Sequence, residues 1–545
     1  MNTKLPPFTK AIFPPISFKH KKKSGPPDRL ILLPLVIAVI FLILVSRLFQ
    51  LNIVKGSYFR DLAENNRIRE IPIPAKRGAL IDRKGTVIVK SNPSLVRSYA
   101  DAQAYSHAAG YIQTASPKDL KRDVCETPLD LGDAVGKTGA EAAFECVLRG
   151  KKGKELVEVD AAGKRLRTIT VLPQKDGEDV QLSLDAALQK KTHEIIQNNA
   201  IDTSVEIDLT EKKIAIVASV PDTGEILILY SHPTFDAAAF TNSDQTAAAE
   251  LLTAKDKPLF DRVTSGTYPP GSVFKPFVAA AALEEKIIDA DFTYEDKGFV
   301  QAGPQKFGNW YFQKYGKVEG KIDVVRALAR STDTFFYTLG GKLGVPTIKS
   351  WARRFGLGEK TGITLAEETG LLPSKFWKKH TLDERWYLGD TYNLSIGQGY
   401  MLTTPLQINR AVSALANGGK LCVPKLLKIP HTASDNPFLT ENQSVQCNDI
   451  GLRDTTLKLV REGMRQACES GGTGWPFFNF SVPVGCKTGT AENPAGAPHA
   501  WFSVFAPFDK PEIVLTVMVE EAGEGSNVAA PIAKEILKEY FKRNE

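Results

Sequence analysis

The chain has 545 residues, 43% hydrophobic and 24% charged, enough for two or three globular domains, which excludes a disordered or fibrous polymer. Its formal net charge of +7 is concentrated at one end: residues 1–29 hold six lysines and Arg29 against Asp28, a net of +6, leaving +1 for everything that follows. The basicity therefore reads as a membrane-topology signal, and no nucleic-acid partner is expected.

Leu30 to Val45 is a run of sixteen apolar residues broken only by Pro34, and with Leu48-Phe-Gln-Leu51 and a snorkelling Arg47 it predicts one transmembrane helix over 30–49. No small-x-small cleavage site follows, so an anchor is favoured over a signal peptide. The tail 1–29 then stays cytoplasmic, Lys21–Lys23 included, and the rest is periplasmic or otherwise extracytoplasmic. Six cysteines in that oxidising compartment can form disulfides. Cys125 with Cys146 and Cys422 with Cys447 are the sequence-near pairs, although the connectivity cannot be derived. With no CxxC, HExxH or HxH, neither a metal site nor a cofactor is expected.

Residues 50–178 form a strand-rich module. Gly78 to Val89 reads as two short strands around Asp82-Arg-Lys-Gly85, and Val157 to Arg165 as a hairpin. Gly132 to Thr138 falls one residue short of a phosphate-binding loop and reads as a plain loop. An α/β (α+β) domain over 179–545 opens with Val180–Asp185, a helix over 186–199, and a hairpin of Lys213–Ser219 with Glu225–Tyr230. Helices dominate from 272 to about 420. Strands return at 483–486, 501–505 and 513–519, closed by a helix at 530–542, which predicts one sheet built from an early hairpin and late strands.

Ser272 and Lys275, after Pro269-Pro-Gly271, form the only SxxK in the chain and open a helix whose Val273, Phe274, Phe277, Val278 and alanines 279–282 are too apolar to be exposed. Side chains three apart share a helix face, so Lys275 is positioned to take the proton of Ser272 without a histidine. A buried ammonium needs partners. Ser331-Thr-Asp333, at the head of a second helix, is a candidate, with Ser331 as proton relay. Lys-Thr-Gly occurs three times, at 137–139, 360–362 and 487–489; the first two read as loops. Lys487-Thr-Gly-Thr490 follows Ser481–Cys486, an edge strand because Pro483 is tolerated only there. An edge strand can take up an extended peptide, Gly489 would let that peptide approach, and Lys487 would offer a charge to its carboxylate while depressing the proton affinity of Lys275. Cys486 should face away, as a core thiol or disulfide half.

The ordered set Ser272-x-x-Lys275, Ser331-x-Asp333, Lys487-Thr-Gly-Thr490 resembles the penicilloyl serine transferases, which share a β-lactamase-like transpeptidase fold. The anchor, Arg77-Gly-x-x-Ile81-Asp-Arg83 with Gly85, Ser395-Ile-Gly-Gln-Gly-Tyr400 and His499-Ala-Trp-Phe502 are similar to class B penicillin-binding proteins. Asp333, where most relatives have Asn, and Thr361-Gly-Ile-Thr-Leu-Ala-Glu367 resemble the elongation-type branch, penicillin-binding protein 2. The resemblance implies a peptidoglycan D,D-transpeptidase with 50–178 as its pedestal, of the dimerisation-module type. Ser272 would be nucleophile, Lys275, Ser331, Asp333 and Lys487 catalytic partners, the backbone N–H groups of Ser272 and Thr490 an oxyanion hole, and Thr488, Gly489 and Thr490 substrate-binding. It also implies acylation of Ser272 by β-lactams, and a SEDS-type glycosyltransferase bound through 50–178.

Three other readings are weaker. A β-lactamase would use Glu367 or Glu368 for deacylation, but the Asn that should follow is missing. A scaffold that only activates the glycosyltransferase would not need an intact Ser272, Lys275 and Lys487, and a β-lactam-sensing receptor would need an effector domain ahead of the anchor.

Overall fold

The computed structural model describes residues 29–543 except 93, 95, 161, 242–244 and 429–444; the basic tail expected over 1–29 lies outside the described residues up to Asp28. The chain divides into two compact units, one running up to Ile73 with Lys154–Leu172 added, the other combining Pro74–Gly153 with everything from Pro173 onward.

In the first unit an apolar helix over Arg29–Phe49 carries on as a π-turn to Val54, and Leu33–Val54 is long and apolar enough to cross a membrane. A helix over Gly56–Arg67 leads to a three-stranded sheet of Ile68–Ile73, Gly153–Val159 and Arg165–Leu172, the last two forming the antiparallel hairpin predicted around residue 160.

The second unit is organised by a five-stranded antiparallel sheet: β1 (Ile214–Ser219), β2 (Ile226–His232), β3 (Gly485–Ala491), β4 (His499–Ala506) and β5 (Ile513–Val519), in the spatial order β2-β1-β5-β4-β3. Strand side chains alternate between faces. Ile214, Ile216 and Ala218 therefore enter one core while Ala215 and Val217 enter the other. Both faces are covered, which is why these strands read as unbroken apolar runs. Helix α1 (Ala186–Gln197), capped by Asp185 on the Leu188 N–H, and α7 (Ala529–Lys542) pack on the first face. The other face carries α2 (Lys275–Glu284), α4 (Asp333–Arg354) and α5 (Pro405–Ala416), with α3 (Val324–Arg330) and α6 (Asp454–Ala467) beside them.

Two details depart from the sequence expectations. The edge strand begins at Gly485, not Ser481: the Pro483 carbonyl is taken by the Phe508 N–H outside the sheet. The middle of the chain is not purely helical, since Tyr294–Asp296 pairs with Gly320–Ile322 and Phe299–Ala302 with Gln305–Gly308.

Residues 74–153, which belong to the same unit, are held together internally by a buried ion cluster. Glu141, fully buried, accepts from Arg77 Nε at 2.6 Å and Arg97 Nε at 2.7 Å, and Arg77 also reaches Glu145 at 2.6 Å. Removing the shared carboxylate leaves two guanidinium groups facing each other in a low dielectric, so Glu141→Gln is expected to cost about 3–5 kcal/mol. Lys191→Ala, which breaks a half-exposed pair with Glu194, should cost less than about 0.5 kcal/mol. Thermal denaturation of the detergent-solubilised chain distinguishes the two.

Candidate active site

Ser272 lies in a 3₁₀ turn, Gly271–Phe274, that runs directly into α2. The tighter winding eclipses residues i and i+3, so Ser272 and Lys275 still share a face, although the serine precedes the α-helix it was expected to open. Gly271 has φ of +56°, and a Cβ there would stand 2.9 Å from the Thr490 carbonyl oxygen, so the turn touches the edge strand with no room for a side chain.

Lys275 is fully buried among apolar residues. Its Nζ donates to Asp333 Oδ1 at 2.6 Å, Ser331 O at 2.8 Å and Ser331 Oγ at 3.1 Å. Among the described residues no hydrogen bond joins Ser272 Oγ to Lys275; an ionised carboxylate is a stronger partner than a neutral hydroxyl and takes the ammonium first. Ser331 terminates α3 in the left-handed conformation, φ +57°, which turns its carbonyl and hydroxyl toward the two lysines.

Lys487 is also fully buried, and its Nζ donates to the same Ser331 Oγ at 2.9 Å and to Thr488 O at 2.9 Å. One hydroxyl thus separates two amines. Burial pushes Lys275 below the ordinary lysine value, with the Asp333 charge opposing the shift. Burial, then the neighbouring Lys275, drives Lys487 well below it, against a smaller pull from Asp333. Asp333 pairs with Lys275 and not with Lys487, so Lys275 is the amine its charge favours in the protonated form. The sequence expectation that Lys487 faces a substrate carboxylate is corrected: its ammonium position is sealed beneath the strand, outside the cleft lining.

Ser272, Ser331, Asp333, Thr488 and Thr490 line a cleft of about 810 Å³, with Trp310, Lys314, Tyr337, Gln398, Trp475, Glu492 and Glu524 among its other walls. Its floor is β3, the sheet edge. Gln398 Nε2 donates to Thr490 O at 3.1 Å and Gln398 Oε1 accepts from the Glu492 N–H at 3.2 Å, so the Thr490 backbone points away from β4, as alternation along an antiparallel strand requires. The Thr490 N–H shares that outward direction, and the Ser272 N–H, in the first turn of a helix, lacks an intrahelical acceptor. The Thr488 hydroxyl pairs with Thr473 at 2.8 Å.

Gly489 meets a constraint its local sequence does not show. A Cβ there would meet Trp501 Cβ at 2.9 Å, Val273 Cγ1 at 3.0 Å and the Pro270 carbonyl at 3.2 Å, so the glycine accommodates the nucleophile's own turn. Cys486 faces away from the cleft and is joined to Cys468; Cys125–Cys146 and Cys422–Cys447 complete the disulfides. The other Lys-Thr-Gly triplets are structural: Lys137 pairs with Asp119 at 2.6 Å, and Thr361 and Gly362 donate to Glu367. That carboxylate is consumed by its own loop, and neither Glu367 nor Glu368 lines the cleft.

Sequence reasoning assigned no role to Gln398, Thr473 or Trp310. Gln398 sits inside the quoted Ser395–Tyr400 segment, and Gly397 there packs so tightly that a Cβ would fall 2.3 Å from the Gly271 carbonyl. Gly471-Gly-Thr473 was a readable turn signal. Trp310 had none.

The chain resembles known proteins over most of its length. Residues 214–538 match the penicillin binding protein transpeptidase domain, and 89–182 the penicillin-binding protein dimerisation domain. The peptidoglycan D,D-transpeptidase MrdA of Haemophilus influenzae is 32% identical over 477 residues, covering 83% of this chain and 70% of that protein. The protein of the same name from Escherichia coli K12 is 32% identical over 466 residues, covering 81% and 70%. Among solved structures, Pseudomonas aeruginosa PBP2 in complex with WCK 5153 is 33% identical with a TM-score of 0.73, covering 87% of this chain and 96% of that one. A chain from a peptidoglycan synthase complex, described for its coordination of polymerization and crosslinking, is 29% identical with a TM-score of 0.74, covering 94% and 98%.

Because the space above Gly489 is filled on three sides, Gly489→Ala is expected to cost about 1–3 kcal/mol. The reading is the loss in thermal stability relative to the unsubstituted chain.

Proposed function

This chain belongs to the family of penicillin-binding protein transpeptidases, and we propose that within it the protein acts as a peptidoglycan D,D-transpeptidase that cross-links stem peptides through an acyl-serine during cell elongation. The observation that carries the reading is the closed set of Lys275, Ser331, Lys487 and Asp333 beside Ser272, on a sheet edge bordering a cleft. An extended stem peptide adds along β3, with its terminal carboxylate held by the hydroxyls of Thr488 and Thr490. Lys487, sealed beneath the strand, makes no direct contact with that carboxylate.

Ser272 Oγ attacks the carbonyl between the two terminal D-alanines. Lys275 becomes free to accept the serine proton when its own proton passes through the Ser331 hydroxyl to the neutral Lys487. The Ser272 and Thr490 N–H groups stabilise the developing oxyanion, a contribution of roughly 3–4 kcal/mol per donor. The C–N bond breaks as Ser331 delivers a proton to the departing D-alanine amine, with the lysines replenishing it. An amine from a neighbouring strand then attacks the acyl-enzyme by the reverse route. β-Lactams acylate the same oxygen.

The membrane-length helix anchors the enzyme with residues 1–29 in the cytoplasm and the catalytic domain, 179–545, outside. The module over 50–178 is the docking region for a SEDS-type glycosyltransferase; a 29% identical chain from a peptidoglycan synthase complex that coordinates polymerization and crosslinking supports a pairing with a polymerase. A β-lactam-hydrolysing role is disfavoured by the engagement of Glu367 with Thr361.

Labelling with a fluorescent penicillin followed by peptide mapping is expected to place the adduct on Ser272 and to fail in Ser272→Ala. An adduct on another residue, or undiminished labelling of the variant, would overturn the assignment.

Acylation requires an unprotonated amine, so its rate should rise with pH along an acid limb that burial has moved below the ordinary lysine range. Asp333 opposes that shift, so Asp333→Asn should carry the limb to lower pH, read from acylation rates across a pH series.

A further inference from the structure

Asp296 lies outside every motif above and is 1% exposed, yet its carboxylate is saturated with donors. Oδ1 accepts from the Thr334 hydroxyl at 2.7 Å and the Gly298 N–H at 3.0 Å; Oδ2 accepts from the Glu319 N–H at 2.9 Å and Asn309 Nδ2 at 3.1 Å. Asn309 is itself fully buried: its N–H donates to Gly298 O at 2.7 Å, and its Oδ1 accepts from the Asp333 N–H at 3.2 Å. A carboxylate can only accept and a backbone N–H can only donate, so the two ends of the amide are fixed by unlike partners. The next residue completes the loop, because the Trp310 N–H donates to Asp333 Oδ2 at 3.0 Å while its indole donates to Arg330 O at 3.0 Å.

We infer that Asn309, held by Asp296, is a positioning residue that presents the Trp310 backbone N–H to Asp333 and so sets how strongly Asp333 holds the proton on Lys275. The inference rests on the proposed roles of Asp333 and Lys275 and adds a path from the cleft wall to them. Trp310, Gln313, Lys314 and Tyr315 of the segment that Asn309 opens all line the cleft, so a ligand pressing on this wall reaches the charge centre through one backbone hydrogen bond. A carboxylate relieved of a neutral donor exerts more of its charge on its remaining partner. Withdrawing the Trp310 N–H therefore strengthens the grip of Asp333 on the Lys275 proton. The other charged or titratable groups facing this point are Lys487 through Ser331, Tyr337, which senses the charges of Asp333 and Glu492, and Arg330, stacked on Trp310 and Tyr311 and paired with Glu319. None of them replaces the lost donor.

The test compares the full-length chain in detergent with Asn309→Ala, Thr334→Val and Trp310→Phe by measuring acylation with fluorescent penicillin across pH. Asn309→Ala should move the acid limb upward by about half a pH unit or more, which slows acylation about threefold or more along that limb, opposite to Asp333→Asn. Thr334→Val removes a donor from Asp296 while keeping side-chain shape; it should shift the limb the same way by less, and it answers the question if Asn309→Ala does not fold. Trp310→Phe retains the backbone N–H and should lower rates at every pH without moving the limb. Profiles of Asn309→Ala or Thr334→Val that superimpose on the unsubstituted one after scaling would overturn the inference while leaving the proposed function intact. Absence of any Ser272 adduct in the unsubstituted chain would remove both.

Discussion

Two lysine amines, both sealed from solvent, converge on one serine hydroxyl with, among the described residues, a single carboxylate paired to them. Burying two ammonium groups against one counter-charge is costly, and both amines are pushed below the ordinary lysine value, Lys487 well below it. Much of the second unit can be understood as the means of imposing that condition. The apolar helix α2 removes water from Lys275, and the sheet edge does the same for Lys487. The left-handed residue at the end of α3 puts one oxygen between them, and the first residue of α4 supplies the carboxylate. The nucleophile stands just outside this buried set, where substrate can reach it.

Three separate stretches are brought to that point by close backbone packing. Gly271, Gly397 and Gly489 each lack a Cβ where one would collide with another of these segments or its immediate support. They lock the turn that carries Ser272 to the loop that carries Gln398 and to the strand that carries Thr490. Gln398 then occupies the far part of the strand edge, which confines the open hydrogen-bonding positions to the stretch nearest the serine. Register along β3 is set by protein groups before any peptide arrives.

Much of this was legible in the sequence because its signals are local. Apolar runs flanking Pro-Asp-Thr-Gly gave β1 and β2, the late apolar segments gave β4 and β5, and the Pro-Pro-Gly turn placed Ser272 ahead of a buried helix. What escaped reading depended on contacts between distant segments. Gly489 looked like an opening for substrate because nothing local reveals that Trp501 and Val273 fill that space. Lys487 looked like a cleft cation because strand alternation alone does not report how deeply a long side chain is sealed. Asp296 and Asn309 belong to no motif, and only the meeting of the 296–319 segment with the head of α4 gives them a purpose.

The bond between Cys468 and Cys486 ties the end of α6 to the residue immediately before Lys487. In a reducing interior those sulfurs stay apart, and the segment bearing the second amine lacks its covalent fastening to the body behind it. Oxidation of that pair therefore adds a covalent restraint to the segment that carries Lys487.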